Sequence, residues 1–403
     1  MTRAEDKRKG IGVEISLLTG GQDRHYAYGL AMALAAEGVG IDIIGSNEVD
    51  CPEFHDPPRL NFFNLRGDVS RGASLIEKIV RVSRYYVRLL LYAAKARPRL
   101  FHILWNNRFE TFDRTVVMAY YRLLGKKIVL TAHNTNIAKR DSSDSLINRL
   151  SLRVQYRLAH HIFVHTPAMK SDLLTEFNVR DEAVTVIPYG MNNAVPDTRL
   201  STSEAKRRFD ICCDEKTILF FGAIAPYKGL DILVEALRIL ERKDAGYKLI
   251  IAGKPKGGCD GYLRQVQSSI SELRPGTAIQ KIEFVPDEEA EAYFKAADLL
   301  VLPYRAIFQS GILFLGYNFG LPVVATDVGS LKDDIWEGHT GFLCQPESSE
   351  DLAKTIEAYF QSDLCKHLEH HRAEIREYAR ARHSWDIVGD QTLDVYSNLI
   401  AGR

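Results

Sequence analysis

At 403 residues the chain is longer than one hydrophobic core usually supports, so two domains are expected. Hydrophobic residues make up 46% and charged residues 26%, an ordinary globular balance. Basic and acidic residues number 52 each, so nothing global points to a nucleic-acid partner, and any charged ligand must meet a local patch.

The first half alternates apolar strands with amphipathic helices. Strands are expected at 12–18, 40–44, 60–65, 100–104, 127–131, 161–165 and 184–187, with helices at 22–37, 73–95, 112–124 and 146–159. Continuous apolar strands between helices mean a parallel sheet covered on both faces. The pattern breaks at Pro188-Tyr189-Gly190, and the polar stretch Met191–Ser203 reads as a linker. A second series follows, with strands at 216–221, 247–252, 279–285, 299–302 and 323–326, a helix at 311–319, and helical pattern from Ser349 to the end, punctuated near Ser384-Trp385. The fold class is therefore α/β, with two doubly wound Rossmann-like domains. Such sheets bind ligands at the carboxyl ends of their strands, where strand order reverses, and two of them place the expected site in an interdomain cleft. A tandem of binding domains would show the same periodicity.

The six cysteines form no C-x-x-C pair and none stands near a histidine at zinc-site spacing, so no metal site is expected and the thiols read as reduced. The charged segment Met1–Gly10 lacks the form of a secretory leader, and no apolar run approaches a membrane span. The expectation is a cytoplasmic protein.

Several local patterns can carry chemistry. Gly20 and Gly21 follow the first strand, where a backbone can approach a ligand closely, although the G-x-G-x-x-G spacing is absent and a plain tight turn fits as well. Ser310-Gly311 opens a helix after a strand and loop; Ser310 suits an N-cap, and the N–H groups behind it carry about half a positive charge that can hold a diphosphate. Lys228 lies between a strand and a helix, where an ammonium can meet phosphate; most lysines are simply solvated. His133 closes a buried strand at its carboxyl end, whereas His160 and His161 flank a strand start and read as structural. From Arg71 to Arg99 eight basic residues face one acid, Glu77. Arg81, Arg88 and Lys95 form a stripe on the 73–95 helix, with Leu75, Ile79, Val82, Tyr86, Leu89 and Leu90 expected to meet the sheet. The basic face can serve as a peripheral membrane or lipid-diphosphate contact at the inner face of the membrane.

Taken together, F-F-G-x-I-x-P-Y-K-G-L-D (220–231), Q-S-G-I-L-F-L (309–315), G-L-P-V-V-A-T-D-V-G-S (320–330), E-G-H-T-G-F-L (337–343) and V-I-P-Y-G (186–190) resemble glycosyltransferase family 4. The early G-G, the helix end A-A-E-G-V and T-A-H-N are similar to the family's acceptor-domain motifs, and matches run from about residue 12 onward in order. The resemblance implies the GT-B fold, with an acceptor-binding domain over 1–195, a donor-binding domain over 196–383, and a last helix, 384–403, packing back on the first. It implies a retaining, metal-independent glycosyltransferase without a cofactor, its nucleotide-sugar donor being a substrate. Lys228 matches the family's phosphate-binding lysine. Gln309, Ser310, Gly311 and Ile312 match its phosphate loop, with Gly222 beside it. Gly253-Lys254 and Val285-Pro286 match loops near the nucleoside, and Gly20-Gly21 and His133 match the N-terminal glycines and the histidine that reaches the donor.

The sequence departs from the family pattern. Ile307 and Leu315 stand where the family's paired glutamates belong, and Ala223 stands where its phosphate-binding arginine belongs. Arg305, Lys254 or Lys256 are the cations available to compensate. The expected function is hexosyl or related transfer to a sugar or lipid-linked sugar in bacterial polysaccharide or glycolipid synthesis. The alternative is a non-catalytic relative that binds a nucleotide or sugar as a partner subunit.

Overall fold

The computed structural model describes residues 12–21, 23–55, 59–68, 75–141, 143–192 and 195–402. Met1–Gly10, Arg71 and positions 73 and 74 of the expected basic helix lie outside them. The chain divides into unit 1, Met1–Gly190 with His383–Arg403, and unit 2, Met191–Arg382.

Unit 1 is built on a seven-stranded sheet in the order β3-β2-β1-β4-β5-β6-β7, every neighbouring pair parallel. Its elements are β1 (Glu14–Leu18), α1 (Arg24–Ala36), β2 (Gly40–Gly45), β3 (Leu60–Asn64), α2 (Leu75–Lys95), β4 (Leu100–Ile103), then α3, which runs through Glu110–Phe112, a π turn Asp113–Val117 and Met118–Leu123. They continue with β5 (Lys127–Thr131), α4 (Ile137–Arg140), α5 (Leu146–Leu158), β6 (His161–Val164), α6 (Pro167–Phe177), β7 (Val184–Val186) and the closing helix α16 (Trp385–Ile400). From β1 the chain steps outward through β2 to β3, then crosses back to β4 and continues the other way. Right-handed crossovers therefore put α1 on one face of the sheet and α2, α3 and α5 on the other.

The closing helix α16 packs against α1. Trp385 fills a slot that only glycine leaves open: a Cβ on Gly29 would stand 1.9 Å from its ring, and one on Gly190 2.5 Å. Tyr26 meets the same indole edge-on at 5.1 Å, and Tyr396 reaches the buried His102 Nδ1 at 2.5 Å.

Helix α2 differs from the sequence reading. Tyr85, Tyr86, Leu89 and Ala93 are buried, but Ile79, expected against the sheet, is 58% exposed. A second apolar row on this helix also faces out. Helix α3 begins two residues earlier than expected and contains the π turn, whose Asp113 is buried and accepts bonds from Asn107 and Tyr86.

Unit 2 carries a six-stranded parallel sheet, β10-β9-β8-β11-β12-β13. Its elements are α7 (Thr202–Arg207), β8 (Lys216–Phe221), α8 (Leu230–Glu241), β9 (Tyr247–Ala252), α9 (Asp260–Ser271), β10 (Ala278–Lys281), α10 (Asp287–Ala296) and β11 (Leu299–Leu302). There follow α11 (Gly311–Asn318), β12 (Val323–Thr326), α12 (Leu331–Asp334), β13 (Gly341–Cys344), α13 (Ser349–Gln361), α14 (Asp363–Lys366) and α15 (Leu368–His383). Strand β10 stops four residues before the expected Val285, because it is an edge strand whose continuation turns Glu283 to Lys281 and leaves Phe284 64% exposed. The four-residue β13, an edge strand only partly buried, completes the other edge. Strand order reverses between β1 and β4 in unit 1 and between β8 and β11 in unit 2, and the carboxyl ends of these strands carry the candidate residues.

Candidate functional site

In unit 2 the loops after β8, β9 and β11 converge. Gly222 ends β8 at φ 106°, and the side chain of Ile312, in the first turn of α11, stands 3.5 Å from where its Cβ would be. Gly253 ends β9 at φ 150°, so close that a Cβ would lie 1.8 Å from the Gly222 carbonyl oxygen. The two loops then zip together: Ile224 N–H donates to Lys254 O and Lys256 N–H to Ile224 O, each at 2.9 Å. Lys254 and Lys256 thereby stand beside the end of β8, their Nζ atoms 5.4 Å from the Phe284 ring and 5.6 Å from the Tyr227 ring.

Lys228 sits in a short turn, Pro226–Lys228, closed by Gly229 at φ 66°, whose Cβ would lie 1.9 Å from Pro303 O. That close approach draws the lysine onto the end of β11. The residue is 7% exposed, and its ammonium donates to Tyr304 Oη at 2.6 Å and lies 4.1 Å from that ring's centre. Tyr304 Oη is in turn 3.4 Å from Ser310 Oγ, and Thr326 Oγ1 holds the Tyr304 carbonyl at 2.6 Å. Lys228, Tyr304 and Ser310 therefore form one buried set at the switch point.

Ser310 stands at the N-cap position of α11, but its side chain makes no capping bond, contrary to the expected N-cap, because its hydroxyl faces Tyr304. The start of α11 has no side-chain cap among the described residues and follows the serine that Tyr304 links to the Lys228 ammonium; free helix N–H groups near a cation are an arrangement that holds anions. Gln309 turns the other way and donates to Asp334 Oδ2 at 3.0 Å; its Oε1 is buried with no partner among the described residues. Burial pushes the Asp334 carboxyl up to about 7, against hydrogen bonds from Ser330 and Gln309 that lower it. Val285 is buried, and the ring standing out of its loop is Phe284.

Arg305, one of the cations expected to stand in for the missing arginine, is paired with carboxylates. Its guanidinium is clamped on Asp231 by bonds of 3.0 and 2.7 Å, with Tyr262 donating to the same carboxylate at 2.6 Å and Glu347 at 3.2 Å behind. Burial opposes the Asp231 charge, but Arg305 and Tyr262 hold its carboxyl below the usual range.

In unit 1, Gly20 (φ 61°) packs against the Trp105 and Asn106 carbonyls, and Arg66 lies over Gly21. The α1 N-terminus beside them is capped by Asp23, which accepts the Tyr26 N–H at 3.1 Å. Gly20 and Gly21 thus make a tight turn whose anion position holds a carboxylate of the chain itself.

His133 stacks on Trp105 at 4.3 Å and meets Tyr26 edge-on at 4.5 Å. It lines a cavity of about 150 Å³ together with Trp105, Asn106 and Asn134. Its Nδ1 lies 3.1 Å from Nε2 of His165, whose Nδ1 lies 3.3 Å from the Ile187 carbonyl oxygen. A carbonyl only accepts, so His165 carries its proton on Nδ1 and accepts on Nε2. His133 must then donate from Nδ1 and keep a bare lone pair on Nε2, which is buried without a partner among the described residues. Burial holds His133 well below its ordinary value and lowers His165 to about 4, so both rings are neutral at physiological pH. His160 and His161 are structural, bonded to the Ile128 N–H and to Thr185.

Two family models cover most of the chain: Glycosyltransferase Family 4 matches residues 19–194, and Glycosyl transferases group 1 matches residues 201–382. The chain belongs to the GT-B glycosyltransferase family. This glycosyltransferase is 25% identical over 384 residues to an uncharacterized glycosyltransferase of Methanocaldococcus jannaschii, covering 91% of this chain and 92% of that one. It is 27% identical over 251 residues to D-inositol 3-phosphate glycosyltransferase of Corynebacterium diphtheriae, covering 59% of this chain and 57% of that one. In fold it is similar to sucrose-phosphate synthase of Thermosynechococcus elongatus, with a TM-score of 0.76 at 18% identity over 97% of this chain and all of that one (100%). It is also similar to HepE of Anabaena in complex with UDP-glucose, with a TM-score of 0.73 at 16% identity over 96% of this chain and 99% of that one.

Tyr304 and His165 join these sets without having stood out in the sequence. Both close a strand at its carboxyl end, the same signal that singled out His133, but which strand ends adjoin is a matter of sheet order.

Proposed function

We propose that the chain transfers a sugar from a nucleotide-sugar donor to an acceptor, with retention of configuration and without a catalytic metal. The observation that carries this reading is the Lys228–Tyr304–Ser310 set beside the α11 N-terminus. In that reading the ammonium and helix N–H groups hold the donor diphosphate. They stabilise the charge that grows on it as the glycosidic bond breaks, and they need no rearrangement to do so. The departing phosphate takes the acceptor's proton, and no carboxylate base is required. Lys254 and Lys256 add positive potential beside the diphosphate, and Phe284 offers a ring face to the nucleoside. Nε2 of His133 accepts a bond from a sugar hydroxyl. HepE, solved with UDP-glucose, supports a nucleotide sugar as donor. The acceptor is a sugar or lipid-linked sugar of surface polysaccharide or glycolipid synthesis on the cytoplasmic side.

A second reading, a non-catalytic nucleotide-binding subunit, is favoured by Leu315, which is buried in α11 where the family carries a carboxylate, and by Arg305, which is already paired. A panel of nucleoside diphosphates and their sugars separates the two readings. Transfer predicts a raised melting temperature with a nucleoside diphosphate, release of that diphosphate and a new glycosidic bond. Lys228→Ala is expected to weaken diphosphate binding about ten- to a hundredfold, the worth of one charged hydrogen bond. Binding without turnover would establish the subunit reading, and absence of binding would sink both.

A further inference from the structure

No helix among the described residues is long and apolar enough to cross a membrane, yet unit 1 exposes apolar side chains in an ordered way. Among the described residues, unit 2 exposes only Phe284 and Trp336 as large hydrophobics; unit 1 holds all the others, most of them on α2, α3 and α5. On α2, Ile76, Val80, Val87 and Leu91 are 74%, 48%, 56% and 54% exposed. At 3.6 residues per turn these four fall within about 60° of arc, on the side opposite the buried Tyr85, Leu89 and Ala93. On α5, Leu146, Leu150 and Val154 form a matching row, opposite the buried Leu152, Gln155 and Tyr156.

These rows share one side of the unit. Helices α2, α3 and α5 lie on the same face of the sheet, because their crossovers run in one direction. Tyr86 of α2 stacks on Phe109 at 5.9 Å just before α3 and meets Phe112 within it at 5.3 Å. Arg114 of α3 donates to Asn148 of α5 at 2.9 Å. The three helices form one layer, and the faces turned from the sheet point outward together, with Leu123 at the end of α3 87% exposed between the rows.

Charge selects the occupant. Arg84, Arg88 and Lys95 flank the α2 row, and Arg153 and Arg157 flank the α5 row; none of these has an acidic partner in an ion pair among the described residues. Helix α5 contains no acid, and the only acid of α2 is Glu77. A symmetric dimer through this layer would bring the same arginines face to face. An anionic lipid surface satisfies both features, taking the apolar rows into the acyl boundary and the guanidinium groups at its phosphates.

The geometry points to the outward layer of α2, α3 and α5 as a docking face for an anionic phospholipid bilayer, independent of whether the chain turns over a donor. The test is sedimentation of the full chain with vesicles of phosphatidylcholine, alone and with about one third phosphatidylglycerol. Sedimentation is expected with the anionic vesicles only, and to weaken as salt rises. Arg84→Gln with Arg88→Gln should lower partitioning about thirtyfold, or about fivefold for each cation removed. Val87→Glu with Leu150→Glu should abolish it, with the circular dichroism and melting temperature of the wild type. Failure of the wild type to bind anionic vesicles overturns the proposal, as does equal binding by both variants. A dimer in light scattering that Leu150→Glu dissolves would assign the face to a second copy instead.

Discussion

The relay from Ile187 through His165 to His133 makes a prediction that does not depend on knowing a substrate. Replacing His165 by leucine removes the acceptor of the His133 Nδ1–H, and the Ile187 carbonyl loses its donor. The His133 ring cannot turn to find another partner, since Trp105 covers its face and Tyr26 its edge. A buried N–H left unpaired costs about 1–3 kcal/mol. In a folded body of about 200 residues each kcal/mol lowers the melting temperature by about 2–4 °C. His165→Gln should restore most of the loss, because its amide can donate to Ile187 while its oxygen accepts from His133. Nitrogen NMR of labelled histidine at neutral pH reads the relay directly: His133 should be protonated at Nδ1 and bare at Nε2, and the leucine variant should shift that balance toward Nε2–H. The pH dependence follows from the lowered histidines. The unfolded chain takes up a proton near 6.5, but native His165 not until about 4, so stability is lost as pH falls through that window and kept above it. An Nε2-protonated His133 in the wild type, or a leucine variant as stable as the wild type, would refute the reasoning.

Asp334 gives the opposite sign. Its carboxyl titrates at about 7 in the fold against 3.8 ordinarily, so its contribution is present in acid and lost as pH rises through 7. Asp334→Asn should leave the melting temperature unchanged in acid and raise it progressively up to neutral pH, as scanning calorimetry across that range would show. Gly253→Ala would drive a methyl into the Gly222 carbonyl at 1.8 Å and force a φ of 150° on an L residue. A strongly reduced soluble yield or a large fall in melting temperature is expected, and tolerance of the substitution would mean that the two loops are not zipped as described.

The layered α/β architecture was legible because β strands such as Leu249–Ala252 and Leu299–Leu302 are buried on both faces and read as unbroken apolar runs. Lys228 and Ser310 were legible because both sit where a strand hands over to a helix. Their connection was not: Tyr304 joins them only because β8 and β11 are neighbours, a pairing across more than seventy residues that periodicity does not encode. The same limit hid His165, whose strand adjoins that of His133. On α2 the failure has another cause. A helix with two apolar stripes does not encode which of them meets the sheet, and Ile79, expected against the sheet, faces out instead.

The Trp385 slot has a consequence for synthesis. Gly29, Tyr26 and Gly190 are made early, but the indole that fills the space between them emerges only after all of unit 2. At about 5–20 residues per second the wait is about 10–40 s. Unit 2 is continuous in the chain and can complete itself in that interval, while unit 1 waits with part of its core open to water. The segment that opens at Trp385 acts as a latch, and a chain broken off before Trp385 would be an exposed client for chaperones and proteases, however well its second half had folded.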